Sequence, residues 1–199
     1  MILIMRILID NGHGSDTPGK RSPDGRLREY AWAREVAARI ERGLRECGID
    51  AERIVTEEWD VGLSERCRRV NAVCGKLGAS NVALVSVHNN AAGNGGWCCA
   101  RGWTGWVYTG AGAGSRRLAQ MLYAEAERLG LQGNRSVPAC KYWEAGFYIL
   151  KHTNCPAVLT ENLFQDNRED VDYLLSEEGR KAIVDLHVEG IINFIKSVS

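Results

Sequence analysis

The sequence has no excess of charge of either sign. Its 199 residues include 25 lysines and arginines and 25 aspartates and glutamates, so the formal net charge is zero. Phosphate-rich partners are usually bound through a basic excess on the protein. The balance therefore gives no support for nucleic acid or an anionic membrane as a partner, and it favours a substrate such as a sugar or a peptide.

The sequence also lacks a hydrophobic run long enough to cross a membrane. Its apolar N-terminal stretch, residues 1–10, is interrupted by Arg6 and falls well short of the roughly 20 residues that a spanning helix needs. No cleavage-type segment follows, so we interpret residues 2–9 as a buried strand rather than a signal peptide. We therefore expect a protein made in the cytoplasm without a recognisable signal peptide and without an integral membrane segment.

The seven cysteines form no recognisable disulfide or zinc-binding pattern. Their number is odd, Cys98 and Cys99 are adjacent, and no CxxC motif pairs with a second one. A secreted disulfide framework has an even number of spaced cysteines, and a thiolate zinc site needs paired ligands. We expect reduced thiols in a chain made in the cytosol.

No repeat, low-complexity tract or linker divides the chain, so we predict a single domain over residues 1–199. Apolar runs of strand length alternate with segments of helical periodicity. We predict strands at residues 2–9, 51–55, 81–87, 105–108, 147–150 and 157–160, and helices at residues 29–47, 63–77, 115–129, 170–175 and 178–195. This alternation predicts an α/β fold in three layers, with a largely parallel sheet covered by helices on both faces.

Three titratable side chains follow three different predicted strands. His13 follows the first strand within the segment DNGHG, His88 follows the strand at residues 81–87, and Glu161 follows the strand at residues 157–160. Functional residues of such sheets cluster beyond the carboxyl ends of the strands. We therefore treat these three, together with Glu29 at the start of the first predicted helix, as candidate site residues.

Two imidazoles and one carboxylate match a catalytic zinc site with an open ligand position, and a further carboxylate would act as general base. Each residue also has a structural interpretation. A histidine often only forms structural hydrogen bonds, Glu29 suits the positive end of a helix dipole, and Glu161 could be a salt-bridge partner. We interpret His152 as structural or substrate-facing, and His187 as a core-edge or surface residue. Spacing alone leaves both interpretations of the four candidates open.

Taken together, the motifs resemble the zinc-dependent N-acetylmuramoyl-L-alanine amidases, the type 3 amidase group of bacterial autolysins and phage endolysins. Each motif is short, but their order and spacing over nearly the whole chain are specific. The matching segments are DNGHG at residues 10–14, Glu29, LSER at residues 63–66 with Asn71, SVHNN at residues 86–90, and residues 148–161, which end in PAVLTE.

The resemblance implies a mixed, twisted sheet of about six strands and one zinc ion held by His13, Glu29 and His88. It implies that Glu161 is the catalytic base for hydrolysis of the amide between N-acetylmuramic acid and L-alanine in peptidoglycan, and that Asn90 binds substrate. The chain departs from the family pattern at Glu57 and over residues 162–167, beside the ligands. These departures leave the fine substrate preference open.

A tryptophan-rich loop lies between the strands predicted at residues 81–87 and 105–108. Aromatic rings stack on sugars, so Trp97 and Trp103 are candidates for substrate binding, although they could equally pack the loop against the sheet. For Trp106, which lies on a predicted strand, we favour packing.

Two other functions remain open at this stage. A zinc carboxypeptidase acting on the stem peptide would use the same metal chemistry on a different bond. A non-catalytic wall-binding module would have lost one of the four candidate residues, and none is lost. We expect a monomer that acts at the cell wall after release or export.

Overall fold

A computed structural model describes residues 5–93 and 95–198 of the chain, and these residues form six strands and six α-helices. The strands are β1 (Arg6–Asn11), β2 (Ala51–Arg53), β3 (Val82–Asn90), β4 (Thr104–Tyr108), β5 (Trp143–Ala145) and β6 (Ala157–Phe164). The helices are α1 (Glu29–Glu46), α2 (Leu63–Leu77), α3 (Ala113–Arg128), α4 (Tyr148–Lys151), α5 (Arg168–Leu175) and α6 (Glu177–Val198). None of these helices combines the length and the apolar character that crossing a membrane requires.

The six strands form one mixed sheet in the order β2-β1-β3-β6-β4-β5. The first four of these run parallel to one another, β4 runs antiparallel to β6, and β5 runs parallel to β4. The carboxyl ends of β1, β3 and β6 therefore meet at one edge of the sheet. The predicted fold class, a mixed sheet of about six strands, is confirmed.

Helices cover both faces of the sheet because successive side chains of a strand point to opposite sides. In β1, Ile7 and Ile9 join a large apolar cluster under α1, α3, α5 and α6, whereas Leu8 joins a smaller cluster under α2 and α4. The central strand β3 alternates in the same way, and both of its faces are buried. The three-layer prediction is therefore confirmed.

Some predicted elements differ from the structure. Residues 147–150 were predicted as a strand, but α4 begins at Tyr148 and occupies the last three of them. A short apolar run cannot by itself distinguish a strand from a buried helical turn. The edge strand β5 falls between the elements predicted from the sequence. His187, predicted at the core edge or surface, is fully buried. Residues 2–4 of the first predicted strand lie outside the described residues.

Candidate metal centre and active site

Three predicted ligands meet at the carboxyl edge of the sheet. One ligand atom each from His13, Glu29 and His88 lies within 4.8 Å of the others. Oε1 of Glu29 is 3.3 Å from Nε2 of His13 and 3.1 Å from Nδ1 of His88. The two imidazole rings are perpendicular, with centroids 5.0 Å apart. This convergence of two nitrogens and one oxygen forms a possible metal site.

The backbone of His13 adopts an uncommon left-handed conformation, with φ of 62°. Its carbonyl oxygen accepts hydrogen bonds from Nη2 of Arg34 (2.9 Å) and Nη2 of Arg66 (3.2 Å), which hold the residue in place. The two glycines that flank His13 are needed because neighbouring groups lie very close to them, and not because of their own backbone angles. A Cβ on Gly12 would lie 2.1 Å from Cε1 of His88, and one on Gly14 would lie 2.0 Å from the backbone nitrogen of Asp60.

Arg66 of α2 also anchors the end of β1 from below the site. Its buried guanidinium donates to Oδ1 of Asp10 at 2.6 Å and to the carbonyl of Asn11 at 2.7 Å. A buried charge is tolerated when it is paired and fully hydrogen-bonded. The ion pair therefore fixes the strand end that leads into His13.

Glu29 is the first residue of α1, and its carboxylate is almost completely buried. Its Oε1 accepts a hydrogen bond from the backbone nitrogen of Asn89 (3.1 Å), and its Oε2 accepts one from Nε2 of Gln165 (3.2 Å). Burial alone would raise the pKa of Glu29, but the hydrogen bonds with His13 and His88 outweigh it and hold that pKa well below its usual range. The carboxylate is therefore ionised and oriented toward the histidines.

Glu161 lies on β6, directly opposite His88 of β3 in the parallel pairing. Both residues were predicted to follow their strands, but both lie inside strands that run further than predicted. Oε2 of Glu161 is buried and has no hydrogen-bond partner among the described residues. Burial raises the pKa of Glu161 to about 7, against the opposing attraction of His88. A carboxyl group with such a pKa can accept and return a proton near neutral pH.

A cavity of about 380 Å³ opens over these residues. Asn90 lines it, and the Nδ2 atom of Asn90 is buried without a hydrogen-bond partner among the described residues, while its Oδ1 accepts from the backbone nitrogen of Ala91. Lys20, Gln165, Leu63, Phe147 and Tyr148 also line the cavity. Asn90 thus has an amide donor without a partner among the described residues, but this atom is buried rather than exposed to the cavity.

Comparison with known proteins identifies the family. The family model described as N-acetylmuramoyl-L-alanine amidase matches residues 7–193. The chain belongs to this family. The predicted family and enzyme class are thereby confirmed.

Relatives of known sequence agree with this assignment, and a solved structure shares the fold. The chain is 27% identical to the N-acetylmuramoyl-L-alanine amidase CwlM of Bacillus licheniformis over 94% of its own length and 68% of that protein. It is 26% identical to the endolysin of Bacillus phage SPP1 over 95% of its length and 65% of that protein. The fold matches a crystal structure of an N-acetylmuramoyl-L-alanine amidase from Clostridium difficile 630 with a TM-score of 0.83, at 22% identity and 98% coverage of both chains.

In this amidase-family chain, Trp103 does not face the cavity. Its side chain is completely buried in the larger apolar cluster, and its Nε1 donates a hydrogen bond to Oδ1 of Asn162 at 2.9 Å. A ring without exposed surface cannot stack on a sugar, so the substrate-binding role predicted for Trp103 is wrong. Trp97 is half-buried beneath the guanidinium of Arg168, 4.4 Å from its ring centroid, and is not among the residues that line the cavity.

Sequence reasoning missed Gln165, which orients the candidate ligand Glu29. It lies in the segment over residues 162–167, where the chain departs from the family pattern. Asn162, in the same segment, donates from Nδ2 to the carbonyl of His88 at 2.9 Å. In the sequence, only the difference from the family pattern over residues 162–167 pointed to these two residues. Their hydrogen bonds hold Glu29 and the backbone of His88 in place.

Proposed function

We propose that this chain is a zinc-dependent amidase that hydrolyses the amide bond between N-acetylmuramic acid and L-alanine in peptidoglycan. The observation that carries the proposal is the cluster of His13, Glu29 and His88 in the lining of the cavity that Glu161 also lines, with Oε2 of Glu161 lacking a hydrogen-bond partner among the described residues. Family membership supports the choice of the scissile bond. We further propose that the protein acts as a monomer at the cell wall.

The donor set fits zinc. Two imidazole nitrogens and one carboxylate oxygen form the three-ligand set of many catalytic zinc sites, which keep a further position open. Nε2 of His13, Nδ1 of His88 and Oε1 of Glu29 face one another, so these atoms would hold the ion. Gln165 occupies the other oxygen of Glu29 and thus orients the ligand, as outer hydrogen bonds do in metal sites. A bound zinc ion would polarise the scissile carbonyl group and acidify a water molecule at the site.

Glu161 carries the proton transfers in this proposal. Its carboxylate accepts a proton from the attacking water, whose oxygen forms the new bond to the carbonyl carbon. The same proton then passes to the amide nitrogen as the carbon–nitrogen bond breaks, which leaves a carboxylic acid on the lactyl group and a free amine on alanine. Burial raises the pKa of Glu161 in the metal-free chain, and the charge of a bound zinc ion would lower it again, which favours the carboxylate form that accepts the proton of the water.

Asn90 positions the substrate. Its Nδ2 atom is buried and has no hydrogen-bond partner among the described residues, so the Asn90 side chain would have to turn toward the cavity for a substrate carbonyl oxygen to accept from it. Since an unpaired buried donor costs free energy, substrate binding recovers the hydrogen bond that the free protein lacks.

The test is product analysis of digested peptidoglycan. An amidase releases stem peptides that begin with a free amine on L-alanine, and it leaves the glycan strands intact. Treatment with a chelator should abolish the release, and added zinc should restore it. Release of C-terminal amino acids alone would instead show a carboxypeptidase and contradict the proposal, and binding without any product would show a wall-binding module.

A further inference from the structure

One wall of the cavity is unusually apolar for an exposed surface. Leu63 of α2, Tyr148 of α4 and Phe147 just before α4 line it, and these side chains are 51%, 42% and 36% exposed. We call these three residues the apolar wall. Contiguous exposed apolar groups in a cleft indicate a binding surface, because burying them against a ligand removes them from water.

The aromatic rings of the apolar wall are held by neighbouring rings. Phe147 contacts Trp106 edge-to-face with centroids 5.7 Å apart, and the ring of Tyr148 lies 4.1 Å from that of His152. Rings fixed in this way present a surface without a further loss of rotamer freedom on binding. Aromatic surfaces of this kind suit the apolar face of a sugar ring.

A cation also lines the cavity, on a segment that leads to the other face of the sheet. Lys20 lies in the loop between β1 and α1, and α1 packs on the other face of the sheet from α2 and α4. Its side chain is exposed, lines the cavity, and forms no ion pair with any residue that the structure describes. The other basic side chain of the lining, Arg66, is already paired with Asp10 and Asp60. Lys20 is thus the cation of this cavity that remains available for a ligand.

The backbone of Lys20 is fixed relative to the candidate ligands. Its φ of 48° lies in the left-handed region, and its carbonyl oxygen accepts a hydrogen bond from the backbone nitrogen of Glu29 at 2.9 Å. A non-glycine residue held in this region often marks a functional constraint. The ammonium group also acts on Glu161, since its charge opposes the rise in the pKa of that carboxyl group.

We infer that the cavity orients its substrate by polarity, with the sugar ring against the apolar wall and a carboxylate of the stem peptide paired with Lys20. This inference rests on the proposed function. It places the scissile amide, which joins the sugar to the peptide, between the apolar wall and Lys20 and over Glu161. It also predicts a preference for stem peptides whose second residue carries a free carboxylate rather than a carboxamide.

The experiment measures binding to zinc-loaded chain carrying Glu161→Gln, so that ligands are not consumed. The probes are two N-acetylmuramoyl dipeptides that begin with L-alanine and end in a carboxylate or a carboxamide, and a lactoyl dipeptide that lacks the sugar ring. Lys20→Gln should weaken binding of the carboxylate ligand about fivefold and leave the carboxamide ligand unchanged, as expected for an exposed ion pair. Tyr148→Ala should weaken both sugar-bearing ligands about fivefold but not the sugar-free ligand.

A matched control and the contrary outcomes distinguish failure of this inference from failure of the proposed function. Lys196→Gln, an exposed lysine in the last turn of α6, should change none of these affinities. The inference is overturned if Lys20→Gln affects carboxylate and carboxamide ligands equally or affects neither, or if Tyr148→Ala weakens the sugar-free ligand equally. Failure of the unmodified chain to hydrolyse either N-acetylmuramoyl dipeptide would instead contradict the proposed function.

Discussion

Glu161 lies directly opposite His88 in the parallel pairing of β6 with β3. The proposed general base and a proposed metal ligand are therefore fixed by the backbone hydrogen bonds of two central strands rather than by a loop. Sites built on strands hold their geometry more closely than sites built on loops. Because Glu161 is held by its own strand and is not a proposed ligand, a substitution of Glu161 can test its role in catalysis without removing a metal ligand.

Glu161→Gln should keep zinc but lose hydrolysis, because glutamine has nearly the same shape and cannot accept or return the proton. Removing a general base costs typically about 10²- to 10⁴-fold in rate, and we expect a loss of kcat in that range. Turnover on peptidoglycan and the zinc content of the purified variant give the two readings. Glu144→Gln, which changes a carboxylate exposed on β5, should leave both unchanged. Near-normal turnover of Glu161→Gln would show that another group is the base.

His88→Ala should abolish the stabilisation that zinc gives to the folded chain. A ligand that binds only the folded state stabilises it by about 2.7 kcal/mol when its free concentration is 100 times its Kd. Zinc should therefore raise the Tm of the unmodified chain and leave that of His88→Ala unchanged. His152→Ala is the control, since this exposed histidine lies outside the cluster. A variant His88→Ala that still binds one zinc per chain with unchanged affinity would exclude His88 as a ligand.

Much of the site could be predicted from sequence because its residues lie in short segments at the ends of strands. A parallel sheet brings the carboxyl ends of such strands to one edge, so His13, His88 and Glu161 could be expected together before any coordinates were known. The position of Glu29 followed from its place at the start of a helix. The strands were predicted to end before His88 and Glu161, because polar residues within a strand resemble the residues that follow one.

The features of the site that could not be predicted from the sequence depend on contacts between distant parts of the chain. Trp103 became a core residue because Asn162 offers a buried acceptor for its indole nitrogen, and no local pattern reveals that partner. Phe147 and Tyr148 line the cavity because residues 148–151 form a helical turn rather than the predicted strand. A four-residue apolar run contains two periods of a strand and barely one turn of a helix, which is too short to distinguish the two, so its side-chain directions could not be predicted.

Gly12→Ala should weaken zinc binding more than it weakens folding. The new methyl group would overlap the imidazole of His88, so the ring must leave the position it holds beside Glu29. Overpacking of this kind costs about 1–3 kcal/mol of stability, and a displaced ligand reduces metal affinity in addition. Denaturant unfolding in chelator and zinc titration measure the two effects separately.

The matched control is Gly75→Ala on the exposed side of α2, where an added methyl group meets no neighbour. Alanine is favoured over glycine inside a helix by roughly 0.5–1 kcal/mol, so this variant should be slightly more stable and should bind zinc normally. If Gly12→Ala binds zinc as tightly as Gly75→Ala, the close packing of His88 on Gly12 is not needed for the metal site.

His187 should make the folded chain sensitive to acid. Burial lowers the pKa of His187 to about 4, against the opposing hydrogen bond between its Nδ1 and the carbonyl of Ile183. In the unfolded chain the pKa returns to about 6.5, so between pH 6.5 and pH 4 the unfolded state binds a proton that the folded state does not. Stability is therefore complete above pH 6.5 and falls as the pH drops, by about 3 kcal/mol at pH 4 from this residue.

His187→Gln removes this titration and keeps a side chain that can both donate and accept hydrogen bonds, as the neutral imidazole does between Ile183 and Thr160. We expect the free energy of unfolding to fall less between pH 7 and pH 4 in this variant than in the unmodified chain. Urea unfolding of both proteins at both pH values, with chelator present so that metal release contributes nothing, gives the difference. Equal losses in the two proteins would mean that His187 takes up its proton at the same pH in the folded and the unfolded chain. The charged imidazole would then donate to Thr160, whose hydroxyl donates to the carbonyl of Ser86.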